Sequence, residues 1–233
     1  MLTPSEIARS LLAAGESKAR LPFGKMLLLA ILAGAYIALA GVGATAAAVT
    51  VESGSLAKLL SACVFPAGLS MVILAGSELF TGNCLMVMAL LERRITPVQL
   101  LRNWLTVYLG NAVGGAAVAA LAVYSHTASL FGDGLARSMV SIAESKAALG
   151  FGDAFLRGVL CNFLVCLAVW MAAASKRAEG KVIALFFPIL LFVLCGYEHC
   201  IANLYYLPAG AFAAAEYGME TTLTLAGCLE NLA

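Results

Sequence analysis

Residues 196 to 203 read GYEHCIAN and set a carboxylate beside an imidazole inside an otherwise apolar run. A second stretch, residues 76 to 83, reads GSELFTGN and fits the same pattern, Gly-x-Glu-x-x-x-x-Asn. Each lies eight to ten residues beyond a Phe-Pro pair, Phe65-Pro66 and Phe187-Pro188. Imidazole changes charge near neutral pH. His199 can therefore offer a proton, or a polarising N–H, to a solute passing through apolar surroundings. The plainer alternative is a histidine satisfied by helix–helix hydrogen bonds, and the repeated polar insertion argues for a working role. A carboxylate facing an anion's path would repel it. Glu78 and Glu198 are therefore read as structural: they accept hydrogen bonds from backbone N–H groups freed by a helix break, or sit at a subunit interface. Asn83 and Asn203 are expected to satisfy backbone in the same way.

The elements that must position these residues are membrane-spanning helices. The chain is 62% hydrophobic and 12% charged, about half the charge of an ordinary soluble domain, and its mean hydropathy is +0.96. An all-α, polytopic transmembrane bundle forming one domain over residues 1–233 follows. A net charge of +1 argues against a nucleic-acid partner. Seven cysteines occur without a CxxC pair. They read as small buried hydrophobes, with no disulfide framework and no metal site or other cofactor expected. No secretory signal peptide is visible. Thr3, Pro4 and Glu6 read as N-cap, first helical residue and capping-box partner. They open an amphipathic helix over about residues 3–20 that lies on the cytoplasmic surface, with Ile7, Leu11 and Leu12 on one face.

Five apolar runs follow, over about residues 26–51, 59–91, 104–124, 155–174 and 182–207. As one helix the second would be close to 50 Å long, against a hydrocarbon slab of about 30 Å. A break at Ser77 to Asn83 resolves the mismatch, and a matching break falls at Gly196 to His199. Ten of the 14 basic residues fall in segments on one side of the membrane, against Lys58, Arg137, Lys146 and Arg157 on the other. The positive-inside rule then puts the N-terminus in the cytoplasm. Three spans separate the starts of the broken runs, so the repeat should be inverted, with both insertions near mid-membrane. That arrangement points to a transport site at a repeat interface. Two inverted halves of three spans call for a sixth. The closing residues TLTLAGCLENLA read as the approach to one, and the chain is expected to be a fragment or an incomplete gene product. GNAVGGAAVAA (110–120) and LAGAYIALAGVGA (32–44) carry small residues for close helix contact.

GSELFTGN, RGVLCNFLVCLAVWM (157–171) and GYEHCIANLYYLP (196–208) together resemble the formate/nitrite transporter family. The resemblance runs from about Ala13 to the end of the chain. It implies six-helix protomers of aquaporin-like fold assembled as homo-pentamers, each with its own pore, in the inner membrane of a prokaryote. It implies that His199 is the central pore histidine. Leu79, Phe80 and Thr81 would lie on the loop interrupting the second helix, with Leu79 at a constriction. Asn162 would face the pore from the fourth helix, or act as interhelical glue. Lys146, in IAESKAALG, would match a vestibule lysine that attracts anions. Phe192 would be the aromatic at the central constriction.

The chemistry is coherent with that resemblance. Moving a bare monovalent anion through a dry slit costs tens of kcal/mol in the idealised limit. Protonating a carboxylate of pKa near 4 at pH 7 costs about 4 kcal/mol. Such a path needs a charge to attract the anion, a proton donor at its centre and apolar gates, for which Lys146, His199, Leu79, Phe80 and Phe192 are the candidates. Formate leads as substrate over nitrite and hydrosulfide. Two rival classes are an intramembrane metal or thiol enzyme built on Cys195, Glu198, His199 and Cys200, and a membrane protein without conduction. The enzyme reading lacks a standard metal-ligand spacing.

Overall fold

The computed structural model describes residues 1–232, which are 80% helical and contain no strand. Helix α1 (Pro4–Ala19) opens with the expected capping box: Glu6 N–H is bonded to Thr3 Oγ1 and the Glu6 carboxylate to Thr3 N–H. The Thr3 N–H first, and then the Thr3 hydroxyl, donate to the Glu6 carboxylate and hold it below the usual carboxylate range. Ile7 and Leu12 face inward, and α1 packs against residues 84–91, 97–124 and 151–173. The break residues make this possible, because Lys18 near its end reaches into the first of them.

Four helical stretches are long and apolar enough to cross a membrane. They are α2 (Phe23–Ala48), the pair α3 (Gly54–Val64) and α4 (Pro66–Ala75) taken together, α7 (Pro97–Tyr124) and α9 (Phe151–Ala173). The second apolar run is broken as expected. After α4 the chain turns through residues 76–79 and resumes as α5 (Phe80–Asn83), a 3-10 turn and α6 (Val87–Leu91). The fifth run is broken too, into α10 (Ala178–Leu194) and α11 (Cys200–Glu216), each 17 residues long. Two elements go beyond the apolar-run pattern. Residues 134–147 form α8, whose apolar face (Leu135, Met139, Val140) is buried against α11. Residues 225–232 form α12. The chain also stays helical past Pro208, which sits inside α11.

Small residues set how closely the spans approach. Gly34 and Gly114 lie against the Asn111 and Ile31 backbones, where a Cβ would overlap, so α2 and α7 pack backbone to backbone. The largest buried apolar cluster surrounds the breaks and includes Phe65, Leu79, Phe192, Ile201 and Leu204. Leu105, Leu109 and Val113 on α7, with Phe155, Val159 and Phe163 on α9, are exposed, the sign of faces meant for lipid or a neighbouring protomer.

Candidate functional site

Both breaks are made by the same backbone device. Gly76 (φ +76°) and Gly196 (φ +70°) adopt the left-handed conformation. The next N–H then bonds back five residues, Ser77 to the Val72 carbonyl and Tyr197 to the Phe192 carbonyl, both at 3.0 Å. This is the Schellman closure of a helix end. Only glycine adopts that backbone freely, which is why each motif begins with it.

Both breaks also carry the same side-chain network. Lys18 Nζ donates to Glu78 Oε1 at 2.6 Å. Asn83 Nδ2 donates to Glu78 Oε2 at 2.7 Å and to Asn103 Oδ1 at 2.9 Å. In the second break Lys146 Nζ donates to both oxygens of Glu198, at 3.0 and 2.9 Å. Asn203 Nδ2 donates to Glu198 Oε2 at 2.7 Å and to Asn231 Oδ1 at 2.6 Å. Each network thus holds one lysine, one glutamate and two asparagines, and Asn231 of α12 occupies the place that Asn103 of α7 holds in the first. Among the described residues, Glu78 and Glu198 accept from these side chains and from no backbone N–H. The backbone is served by other groups. Glu78 N–H donates to the Leu29 carbonyl at 3.2 Å, and Asn111 of α7 accepts from Phe80 N–H at 3.0 Å and donates to the Glu78 carbonyl at 3.0 Å. Asn83 and Asn203 likewise direct their amides to carboxylates. The charge of each buried glutamate is thereby matched by a lysine, as burial of a carboxylate requires.

Leu79 and His199 occupy equivalent positions, each the N-cap of the helix that follows its break. Leucine has no acceptor, so Asn111 does the capping at the first break. His199 caps its own helix: its Nδ1 accepts from Ala202 N–H at 3.1 Å. With Nδ1 used as acceptor, the proton of the neutral ring sits on Nε2. Nε2 points at the other break and lies 3.3 Å from Thr81 Oγ1. The two interrupted helices therefore meet through one hydrogen bond between Thr81 and His199, both 3% exposed.

Two cavities flank this meeting point, and both are lined by Glu198 and His199. One, about 370 Å³, opens between α3, α8 and α9. Phe65, Phe192 and His199 belong to its lining; Phe192 stacks at a tilt on the His199 ring, 5.6 Å between centroids, and meets Phe65 edge-on at 5.6 Å. The other, about 480 Å³, lies along α9 and is lined by Phe80, Thr81, Asn162 and Asn231. Asn162 Oδ1 is buried there without a hydrogen-bond partner. Phe80 packs edge-on against Trp104 and Tyr108 of α7. Leu79 is buried at 3% exposure in the cluster that contains Phe192. Lys146 lines the smaller cavity, but its ammonium is engaged by Glu198 and stands 5.3 Å from the Tyr206 ring centre. Cys195 is exposed and Cys200 half-buried, and among the described residues no group of three or more His, Cys, Asp or Glu is placed to hold a metal ion.

Lys18, Asn103, Asn111, Asn231, Lys58, Arg157 and Phe65 complete this assembly, and the sequence did not mark them as site residues. Asn103 and Asn111 left a usable trace, since an asparagine inside an apolar span is itself a functional hint. The lysines left none, because their partners are set by tertiary packing.

A helical membrane fold whose two broken helices meet between two cavities defines a channel or transporter. The chain belongs to the formate/nitrite transporter family: the family model described as "Formate/nitrite transporter" matches residues 5–232. A protein named "Probable formate transporter" from Methanothermobacter thermautotrophicus is 38% identical over 229 residues, covering 90% of this chain and 83% of that protein. Among solved structures, one titled "FNT family ion channel" superposes with a TM-score of 0.87 at 29% identity, covering 98% of this chain and 90% of the other. A second, titled "Pentameric formate channel with formate bound", gives a TM-score of 0.80 at 30% identity, covering 90% and 88%.

Proposed function

We propose that this chain passes small monovalent anions of weak acids across the membrane, formate foremost, and that the path runs from the 370 Å³ vestibule past Phe192 and His199 to Thr81 and Leu79. The observation that carries the proposal is the Thr81–His199 hydrogen bond, which joins both breaks where the two cavities adjoin. The relatives named for formate support the choice of substrate. The same geometry suits nitrite and hydrosulfide, which are comparable in size and charge.

His199 acts in this scheme as a neutral donor. Its Nδ1 cannot take a proton without giving up the Ala202 N–H and so uncapping α11. Its Nε2–H is the group that an arriving anion meets in place of Thr81 Oγ1. Hydrogen bonding there holds the anion at the centre; a proton taken from hydronium in the vestibule, which leaves water, turns it into the neutral acid, and that acid crosses the apolar stretch at a small fraction of the cost of the ion. Phe192 and Phe65 on one side, and Leu79 on the other, keep that stretch free of water. Asn162 and Thr81 offer polar contacts beyond it. Glu78 and Glu198, neutralised by their lysines, hold the breaks in shape with Asn83 and Asn203.

The two networks are read as halves of an inverted repeat. The protein sits in the inner membrane of a prokaryote with α1 on the cytoplasmic side, as the basic segments at that end favour, and it assembles as a pentamer with a path in each protomer. The exposed apolar residues of α7 and α9 supply faces for lipid and neighbours. The protein acts as a conduit and not as an enzyme. Uptake of formate, nitrite and hydrosulfide into proteoliposomes, compared at equal concentration, tests the proposal. Uptake of at least one above protein-free vesicles is expected, and formate should lead; no uptake of any would refute it.

A further inference from the structure

The charges around the 370 Å³ vestibule shift the task of collecting anions away from Lys146. Four ionic side chains line it: Lys58, Lys146, Arg157 and Glu198. Lys146 is spent on Glu198, at 2.9 and 3.0 Å, and its side chain is only 16% exposed. Seen from the mouth, that pair is a dipole of zero net charge, and its field falls off faster with distance than that of an ion. Lys58 of α3 and Arg157 of α9 are exposed, and among the described residues neither takes part in an ion pair or a side-chain hydrogen bond. The hydroxyls of Ser61 and Ser141 line the same space with no protein partner among the described residues. Of the cations that line the vestibule, Lys58 and Arg157 are thus the two left to attract an approaching anion.

We propose that Lys58 and Arg157 form the anion-collecting site of this vestibule, taking small carboxylates such as formate before they reach Phe192 and His199. Lys146 is instead a positioning residue that holds the second break through Glu198. The inference rests on the transport function proposed above. Charge that collects an ion leaves a signature that packing does not, because its effect depends on ionic strength.

The test measures initial formate uptake into proteoliposomes, far below saturation, as sodium chloride raises the ionic strength from about 10 to 150 mM and the Debye length falls from about 30 to 8 Å. Wild-type uptake should fall several-fold over that range. Lys58→Gln/Arg157→Gln should start roughly tenfold lower and show a flat profile. Lys58→Arg/Arg157→Lys should restore the wild-type slope, which also controls for folding. Lys146→Gln/Glu198→Gln, which removes both members of the neutral pair, should lower uptake at every salt concentration and keep the slope. A double variant with the wild-type salt slope would overturn the proposal. If wild type passes no formate, the transport reading falls, and ¹³C-formate line broadening by detergent-solubilised protein decides the site separately. Broadening lost in the Gln variant supports the site, and equal broadening by both proteins refutes it.

Discussion

At the scale of single residues, His199 carries two loads that can be separated. Its Nδ1 caps α11 and its Nε2 faces Thr81. Replacing an N-cap by alanine costs about 1 kcal/mol. His199→Ala should therefore lower unfolding stability in detergent by about that amount, whereas His199→Asn, which keeps a capping oxygen, should stay within a few tenths of wild type. Equal losses in both variants would show that the cap is not what the ring supplies to stability. His199 was legible in the sequence because an imidazole in a repeated polar insertion has few ordinary explanations. Its capping role was not, because that depends on the helix resuming at Cys200 with His199 itself in extended backbone. Lys146 shows the opposite case: its presence near the vestibule was legible, but its pairing with Glu198 requires α8, an amphipathic helix hidden in a segment of mixed polarity.

At the scale of elements, the breaks are held by glycine and asparagine. Gly76→Ala and Gly196→Ala each force a Cβ into the left-handed region, at a cost of about 1 kcal/mol. Asn111→Leu leaves the Glu78 carbonyl and the Phe80 N–H without a partner, and about 1–3 kcal/mol is the usual penalty for each such group. Denaturant unfolding in detergent should rank Asn111→Leu as clearly worse than either glycine variant, and the reverse order would contradict the proposed division of labour. A different clamp holds α8 to the segment after α11. Bonds from the Thr222 N–H and the Thr221 hydroxyl keep the Glu144 carboxyl below the usual carboxylate range. Since the folded-state value is the lower one, the clamp contributes fully above the ordinary carboxylate pKa and is lost as pH falls through the folded value. Hydrogen exchange at residues 220–224, corrected for intrinsic rates, should rise as pH drops below about 4 in wild type and show no such step in Glu144→Gln. The breaks themselves could be read from an apolar run too long for the bilayer. The partners of the glutamates could not, because Lys18 and Asn103 lie 60 residues before and 25 after Glu78.

At the scale of the whole molecule, the paired networks tie α1 and α7 to the first break and α8, α11 and α12 to the second. Gly114→Leu would drive a side chain into the Ile31 backbone and should cost at least the 1–3 kcal/mol typical of overpacking, read as a lower melting temperature. Five protomers of 24.1 kDa should give a detergent-stripped mass near 120 kDa in native mass spectrometry; a monomeric mass would contradict the proposed assembly. Composition and repeated motifs were enough to fix the helical membrane class, since both follow from the solvent. The positions of α8 and α12 were not legible, since neither is a strongly apolar run. The most direct measurement is formate uptake by proteoliposomes of wild type and His199→Asn between pH 5 and 8, with folding verified by an unchanged melting temperature. Wild type should conduct, and the variant, still capped and still folded, should lose most of that flux at every pH. A folded variant that matches wild type in both rate and pH profile would remove the imidazole from the mechanism.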